Sequence, residues 1–146
     1  MNTEVKMRVQ LKDGKLQRST EDAAAYDIFN NENDFVLGAG EQKTVSTGVI
    51  TEMYGCFGLM RDRSGLASKF RVTTRGGVID AKYPKEWGVI LVNESDQNIL
   101  IKRGDRIAQV IFLPQPPSHM VEAVGPNAIV IEKDIVRTGG LGSTGA

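Results

Sequence analysis

"KRGDRIAQVIF", Lys102 to Phe112, decides how this chain folds. Its first half is turn chemistry, with Gly104 and Asp105 in a short polar "KRGD". Its second half is a short run of apolar and β-branched residues, the pattern of a strand. Turn and short strand together form a unit that recurs in both directions. Upstream lie "NILIK" (98–102), "WGVILVN" (87–93) and "KTVSTGVIT" (43–51), and downstream "NAIVIE" (127–132). Near the start, "VKMRVQL" alternates at Val5, Met7, Val9 and Leu11, the period of a half-buried strand. The punctuation is "KDGK", "LGAGE" and "VGPN". Many strands separated by tight turns predict an all-β sandwich or barrel. One stretch breaks the pattern: "SGLASKF", Ser64 to Phe70, predicts a helix of about two turns. "LPQPPSH" reads as a stiff extended connector, with His119 as a surface residue after it rather than a metal ligand.

Bulk properties narrow the class. A chain of 146 residues suits one domain with a core that needs no disulfide. Hydrophobic residues make up 40% and charged residues 25%, the balance of a globular domain. Eighteen basic and eighteen acidic side chains cancel, so net charge gives no case for nucleic acid or an acidic membrane as partner. The lone Cys56, in "YGCFGLM", is expected to be a small buried core residue. A single thiol, no membrane-length apolar run and no signal-like start lead to the expectation of an intracellular protein, cytoplasmic or nuclear.

Five stretches carry polar residues that alternation does not explain. In "AAAYDIF", Asp27 sits among apolar residues, where a carboxylate needs a hydrogen bond or a cation; on this segment alone a solvent-facing strand-end Asp is favoured. In "DRSGLASK", Arg63, Ser64 and Gly65 lead into the helix, either as an anion site or with Ser64 as a plain N-cap. "RGGVIDAKYPKEW" reads as a strand and a turn at "KYPK", a hairpin with Asp80 and Tyr83 near its tip. Gln109 sits inside the strand-like run of the opening segment. The chain closes on "RTGGLGSTGA", a glycine-rich tail with Arg137, Ser143 and Thr144, either a frayed end or a phosphate-wrapping arm.

In order and spacing, "AAYDI", "RSGLA", "GVIDAKYPKE", "GDRIAQV" and "RTGGLGSTG" resemble the five motifs of the trimeric dUTPases, from Ala24 to Gly145. That resemblance implies a jelly-roll-like β-barrel or sandwich with one short helix, assembling as a homotrimer. It implies Mg²⁺-assisted hydrolysis of dUTP to dUMP and pyrophosphate, which keeps uracil out of DNA and supplies dUMP for thymidylate synthesis. It divides the chain into a β domain, 1–136, and a flexible C-terminal arm, 137–146, that closes over the active site. Each site would draw motifs one, two and four from one subunit, motif three from a second and the arm from a third.

Carried over by position, the resemblance makes Asp80 the general base for the attacking water. Tyr83 would lie against the deoxyribose, and the backbone of Gly77, Val78 and Ile79 would read the uracil edge. Asp27 would hold Mg²⁺ through a water. Arg63, Ser64, Gly65 and Gln109 would hold the phosphate chain, with Arg137, Leu141, Gly142 and Ser143 closing over the nucleotide. The chain departs from the family pattern at several points. Ala25 replaces a glycine, Lys82 replaces an acid, and Pro84-Lys85 replaces Arg-Gly. Arg75 stands where a small residue is common, and Leu141 where an aromatic ring stacks on the base. The tail is also one residue shorter between Arg137 and its glycine pair. Two other readings compete: a non-catalytic nucleotide-binding or regulatory trimer, and a dCTP deaminase. The deaminase branch places a glutamate in the strand after motif three, whereas here that strand is "VILV".

Overall fold

Turn glycines and β-branched runs fold as the sequence dictates in the computed structural model of the chain, which describes residues 7–118, 121–122 and 129–130. The strands are β1 (Arg8–Asp13), β2 (Leu16–Gln17), β3 (Tyr26–Phe29), β4 (Phe35–Leu37), β5 (Gln42–Ser46), β6 (Ile50–Tyr54) and β7 (Cys56–Arg61). The helix α1 (Ser64–Phe70) follows. Then come β8 (Val72–Arg75), β9 (Val78–Ile79), β10 (Gly88–Asn93), β11 (Ile99–Ile101), β12 (Arg106–Pro114), β13 (Val121–Glu122) and β14 (Ile129–Val130). The helix occupies the span its sequence predicts. It ends where Arg71 takes a left-handed conformation, φ 53°, and returns its N–H to the helix carbonyls.

Pairing is antiparallel throughout the described residues, and most of it joins strands distant in the chain. The largest sheet runs β2-β3-β12-β7-β9, and a second runs β5-β10-β8. Two-stranded sheets β1-β6, β4-β11 and β13-β14 complete the set, and every sheet is open, so the jelly-roll forms as a sandwich and not a closed barrel among the described residues. Ile28, Ala108, Val110 and Met60 from the five-stranded sheet and Val45, Val89 and Leu91 from the three-stranded sheet share one buried cluster. Trp87 is fully buried in it, its ring 6.3 Å from Phe112. Cys56 is buried in the same cluster, and desolvation pushes its thiol pKa up. The helix N-terminus and the ends of β3, β7 and β12 are thereby fixed on one rigid scaffold.

The first strand is less buried than its alternation predicts. Val9 packs against the core, but Met7 and Leu11, on the same face, are 42% and 43% exposed. Among the described residues the strand pairs only with β6, and just its middle reaches the interior. No helix among the described residues is long and apolar enough to cross a membrane.

Candidate functional site

A bulge in β12 assembles the polar cluster. Arg106 and Gln109 are three residues apart, which in a regular strand would put them on opposite faces. The register against β3 shifts between Arg106 and Ala108, so Arg106 lies opposite Phe29 while Gln109 lies opposite Asp27. Phe29 and Asp27 share a face, and so therefore do Arg106 and Gln109. The intervening face turns Ile28, Ala108 and Val110 into the core.

Asp27 is 7% exposed. Its Oδ1 lies 3.5 Å from the Arg63 Nε, and its Oδ2 lies 3.6 Å from the Arg106 Nε. The solvent-facing reading of Asp27 is thus overturned: the cost of burying the carboxylate is offset by two guanidinium groups. Arg63 is the residue that caps α1, with φ −89° and ψ 129°, and Ser64 is the first helical residue, so Ser64 is not the N-cap. The Arg63 side chain makes no cap bond and is instead spent on Asp27. A Cβ added at Gly65 would meet nothing within 4 Å, so the first helical turn is open to an approaching group.

Asp62 locks this turn in place. One of its carboxylate oxygens accepts from both the Thr74 N–H and the Thr74 hydroxyl, each at 2.6 Å. Its carbonyl accepts from the Gln109 amide at 2.7 Å. The same Gln109 amide nitrogen carries a second hydrogen. Arg106 and Asp62 belong to the site although sequence reading assigned them no role. Arg106 needed the bulge to be placed, and Asp62 acts through its backbone and Thr74.

Motif three lies elsewhere on the sheet. Gly77 sits at φ 110°, and its carbonyl accepts the Met60 N–H at 2.7 Å. Val78 and Ile79 pair with Leu59 and Gly58 of β7, whereas β10 pairs with β5 and β8. The expected hairpin is therefore corrected. The chain turns at Asp80–Tyr83, where the Tyr83 N–H reaches the Asp80 carbonyl at 3.1 Å, and then crosses to the other sheet. Tyr83 packs on the core, while Asp80, Lys82, Pro84 and Lys85 are exposed. Arg75 donates to the Gln42 side chain at 3.0 Å.

From Asp27 on β3 to the residue beyond β9 is three strand spacings across the sheet and about four residues along it, on the order of 20 Å. One chain thus brings together Asp27, Arg63, Ser64, Gly65, Arg106 and Gln109, and keeps Asp80 and Tyr83 apart from them. A groove of about 1440 Å³ beside α1 repeats the division: Arg63, Gly65, Phe70, Leu100 and Arg106 line it, and Asp80 and Tyr83 do not. Tyr83 instead borders a smaller hollow with Glu86 and Trp87. Arg137, Leu141, Gly142 and Ser143, with the rest of the 137–146 arm and His119, lie outside the described residues.

Comparison with known proteins identifies the family. The dUTPase family model matches residues 14–145. A deoxyuridine 5'-triphosphate nucleotidohydrolase of Paramecium bursaria Chlorella virus 1 is 42% identical over 88% of this chain and 87% of its own. The enzyme of that name from Saccharomyces cerevisiae is 37% identical over 84% and 81%. Two solved structures share the fold: the dUTPase from phage phi11 of S. aureus, with a TM-score of 0.69 at 23% identity over 82% of this chain and 97% of that one, and the native dUTPase of EIAV, with 0.67 at 23% over 85% and 100%. With a family model spanning residues 14–145 and relatives of that name up to 42% identical over most of the chain, the chain belongs to the dUTPase family.

Proposed function

We infer that this protein hydrolyses dUTP to dUMP and pyrophosphate, with Mg²⁺ as cofactor and a homotrimer as the working unit. The observation that carries the reading is the Asp27–Arg63–Arg106 cluster beside Gln109 and an unobstructed helical turn at Gly65. Planar guanidinium forks and amide donors converging on one face suit a phosphate chain.

Arg63, Ser64, Gly65 and Gln109 hold the phosphates. Asp80 takes the proton of the attacking water, a task open to any carboxylate held within hydrogen-bond reach of it. Tyr83 lies against the sugar and leaves no room for a 2′-hydroxyl, while the backbone of Gly77 to Ile79 reads the uracil edge. The arm, 137–146, contributes Arg137, Leu141, Gly142 and Ser143 over the bound nucleotide. Because Asp80 stands on the order of 20 Å from Asp27 in one chain, the base and the phosphate site come from different copies.

The donor set fits Mg²⁺. No group of three or more potential ligands occurs among the described residues, so an all-protein cage is absent there, and Mg²⁺ characteristically takes phosphate oxygens and water instead. Both Asp27 oxygens sit at 3.5–3.6 Å from guanidinium nitrogens, longer than a charge-assisted bond, which leaves lone pairs for a water on the ion. When bound, Mg²⁺ neutralises charge on the phosphate chain. The test is pyrophosphate release from dUTP with Mg²⁺, run beside dCTP and UTP. Release from dUTP alone is expected. Binding without release would point to a regulatory trimer, and ammonia from dCTP would point to the deaminase.

A further inference from the structure

Arg61 ends β7 directly opposite Gln109, and Gln109 in turn faces Asp27 on its other side. With Gln17 opposite Asp27, the row Gln17, Asp27, Gln109, Arg61 crosses four strands on the face turned away from the core. Neighbouring members of such a row lie about 5 Å apart at Cα. Arg63 and Arg106 each share their charge with Asp27. Arg61 is exposed and, among the described residues, contacts no carboxylate. On its other flank the chain runs through Gly76 and Gly77, which offer no side chain to cover it.

We propose that Arg61 is a third guanidinium of the nucleotide site, one that binds the charged end of the triphosphate and selects it over a monophosphate. The proposal rests on the dUTP reading above. A phosphate chain held at Gln109 and Arg63 lies within reach of the Arg61 side chain, since Arg61 is the cross-strand partner of Gln109 and stands two residues before Arg63. Among the described residues its cation meets no carboxylate that would compete with the phosphate oxygens. It also raises the positive charge of a face on which Asp27 otherwise offsets one of the two paired arginines.

The experiment measures binding of a non-hydrolysable dUTP analogue, of dUMP and of inorganic pyrophosphate to the full chain by calorimetry. Arg61→Gln is expected to weaken the analogue and pyrophosphate about tenfold and dUMP less than twofold, with a shallower dependence of analogue binding on salt. Arg61→Lys should keep most of the affinity. Lys12→Gln, which removes an equal charge from an exposed position on β1, should change neither nucleotide by more than about twofold. Equal weakening of both nucleotides by Arg61→Gln, or none, overturns the proposal. A changed mass in solution overturns it too, by assigning Arg61 to contact between copies. Failure of the parent chain to bind the analogue sinks the dUTP reading itself, and the Arg61 assignment with it.

Discussion

Gly77→Ala should destabilise the protein more than any neighbouring glycine change. At φ 110° the Gly77 backbone lies where a side chain is strained whatever space surrounds it. Space is also lacking: a Cβ would stand 2.9 Å from the Met60 carbonyl oxygen and 3.0 Å from the Met60 Cβ. The chain cannot simply retreat, because the Gly77 carbonyl is bonded to the Met60 N–H at 2.7 Å and Met60 is only 3% exposed. Backbone strain and overpacking together cost about 3–4 kcal/mol. For a chain of this size that lowers Tm by roughly 10 °C.

Gly76 supplies the comparison. It also has a positive φ, 69°, but a Cβ there would meet only the Ile90 Cδ1, at 3.8 Å. Gly76→Ala therefore carries the left-handed penalty alone, about 1–2 kcal/mol. Urea unfolding and thermal scans of both variants, at one fixed protein concentration, separate the two contributions. Should Gly77→Ala cost no more than Gly76→Ala, the close approach of Gly77 to Met60 is not a feature of the folded protein, and the placement of motif three fails with it.

Three further changes test the scaffold and the site. Gly65→Ala should stabilise the protein by about 0.5–1 kcal/mol, since it improves a helical position with nothing in the way, yet raise KM for dUTP several-fold by placing a methyl where the phosphates approach; unfolding and steady-state kinetics on one preparation read both signs. Tyr83→Ala should raise UTP turnover relative to dUTP by about tenfold, measured as a ratio of kcat/KM, because the ring no longer blocks the 2′-hydroxyl. The Glu32 carboxyl is held below its ordinary pKa of 4.5, first by the Ser46 N–H at 2.7 Å and further by Lys43. Its stabilising effect is present above that ordinary value and is lost as pH falls through the lower folded one. Glu32→Gln should thus be less stable than the parent at pH 7, with the gap closing as pH falls below 4.5; a gap that stays constant through that fall would refute the assignment.

Legibility in the sequence followed physical locality. "RIAQVIF" and "SGLASKF" declare themselves because strand and helix patterns are properties of neighbouring residues, and β12 and α1 form where those patterns lie. Asp27 and Gln109 stood out because a polar group in an apolar run demands a partner. What was hidden depends on distant pairing. Nothing within "GDRIAQV" marks the bulge that turns Arg106 toward Asp27. Nothing in "GVIDAKYPKEW" tells that Val78 and Ile79 pair backward with β7 instead of forward with β10. A two-residue strand has too little pattern to choose its neighbour, and the close fit at Gly58, where a built Cβ would stand 3.2 Å from both Ile79 and Val110, is visible only once the strands are paired. Met7 and Leu11 show the same limit from the other side, since alternation fixes which residues share a face but not whether anything covers it.

The separation of Asp80 from the phosphate-holding cluster carries the final consequence. If each site takes Arg63 from one copy and Asp80 from another, two inactive chains can rescue each other. Asp80→Asn keeps Arg63 and loses the base; Arg63→Ala keeps the base and loses a phosphate ligand and one partner of Asp27. Each alone should form trimers with little turnover, the first through kcat, since the amide keeps the shape and not the basicity. Co-folded in equal amounts, they distribute at random around the ring. A site is intact when the copy giving Arg63 is the Asp80→Asn chain and the copy giving Asp80 is the Arg63→Ala chain. That happens in about one half of one half, or roughly a quarter, of sites in a cyclic trimer. Activity near a quarter of the parent is therefore expected from the co-folded mixture, with almost none when the preformed variants are mixed without exchange. A co-folded mixture no more active than the separate variants would mean that one chain completes its own site, and that the turn at Asp80 swings toward Asp27 in the working enzyme.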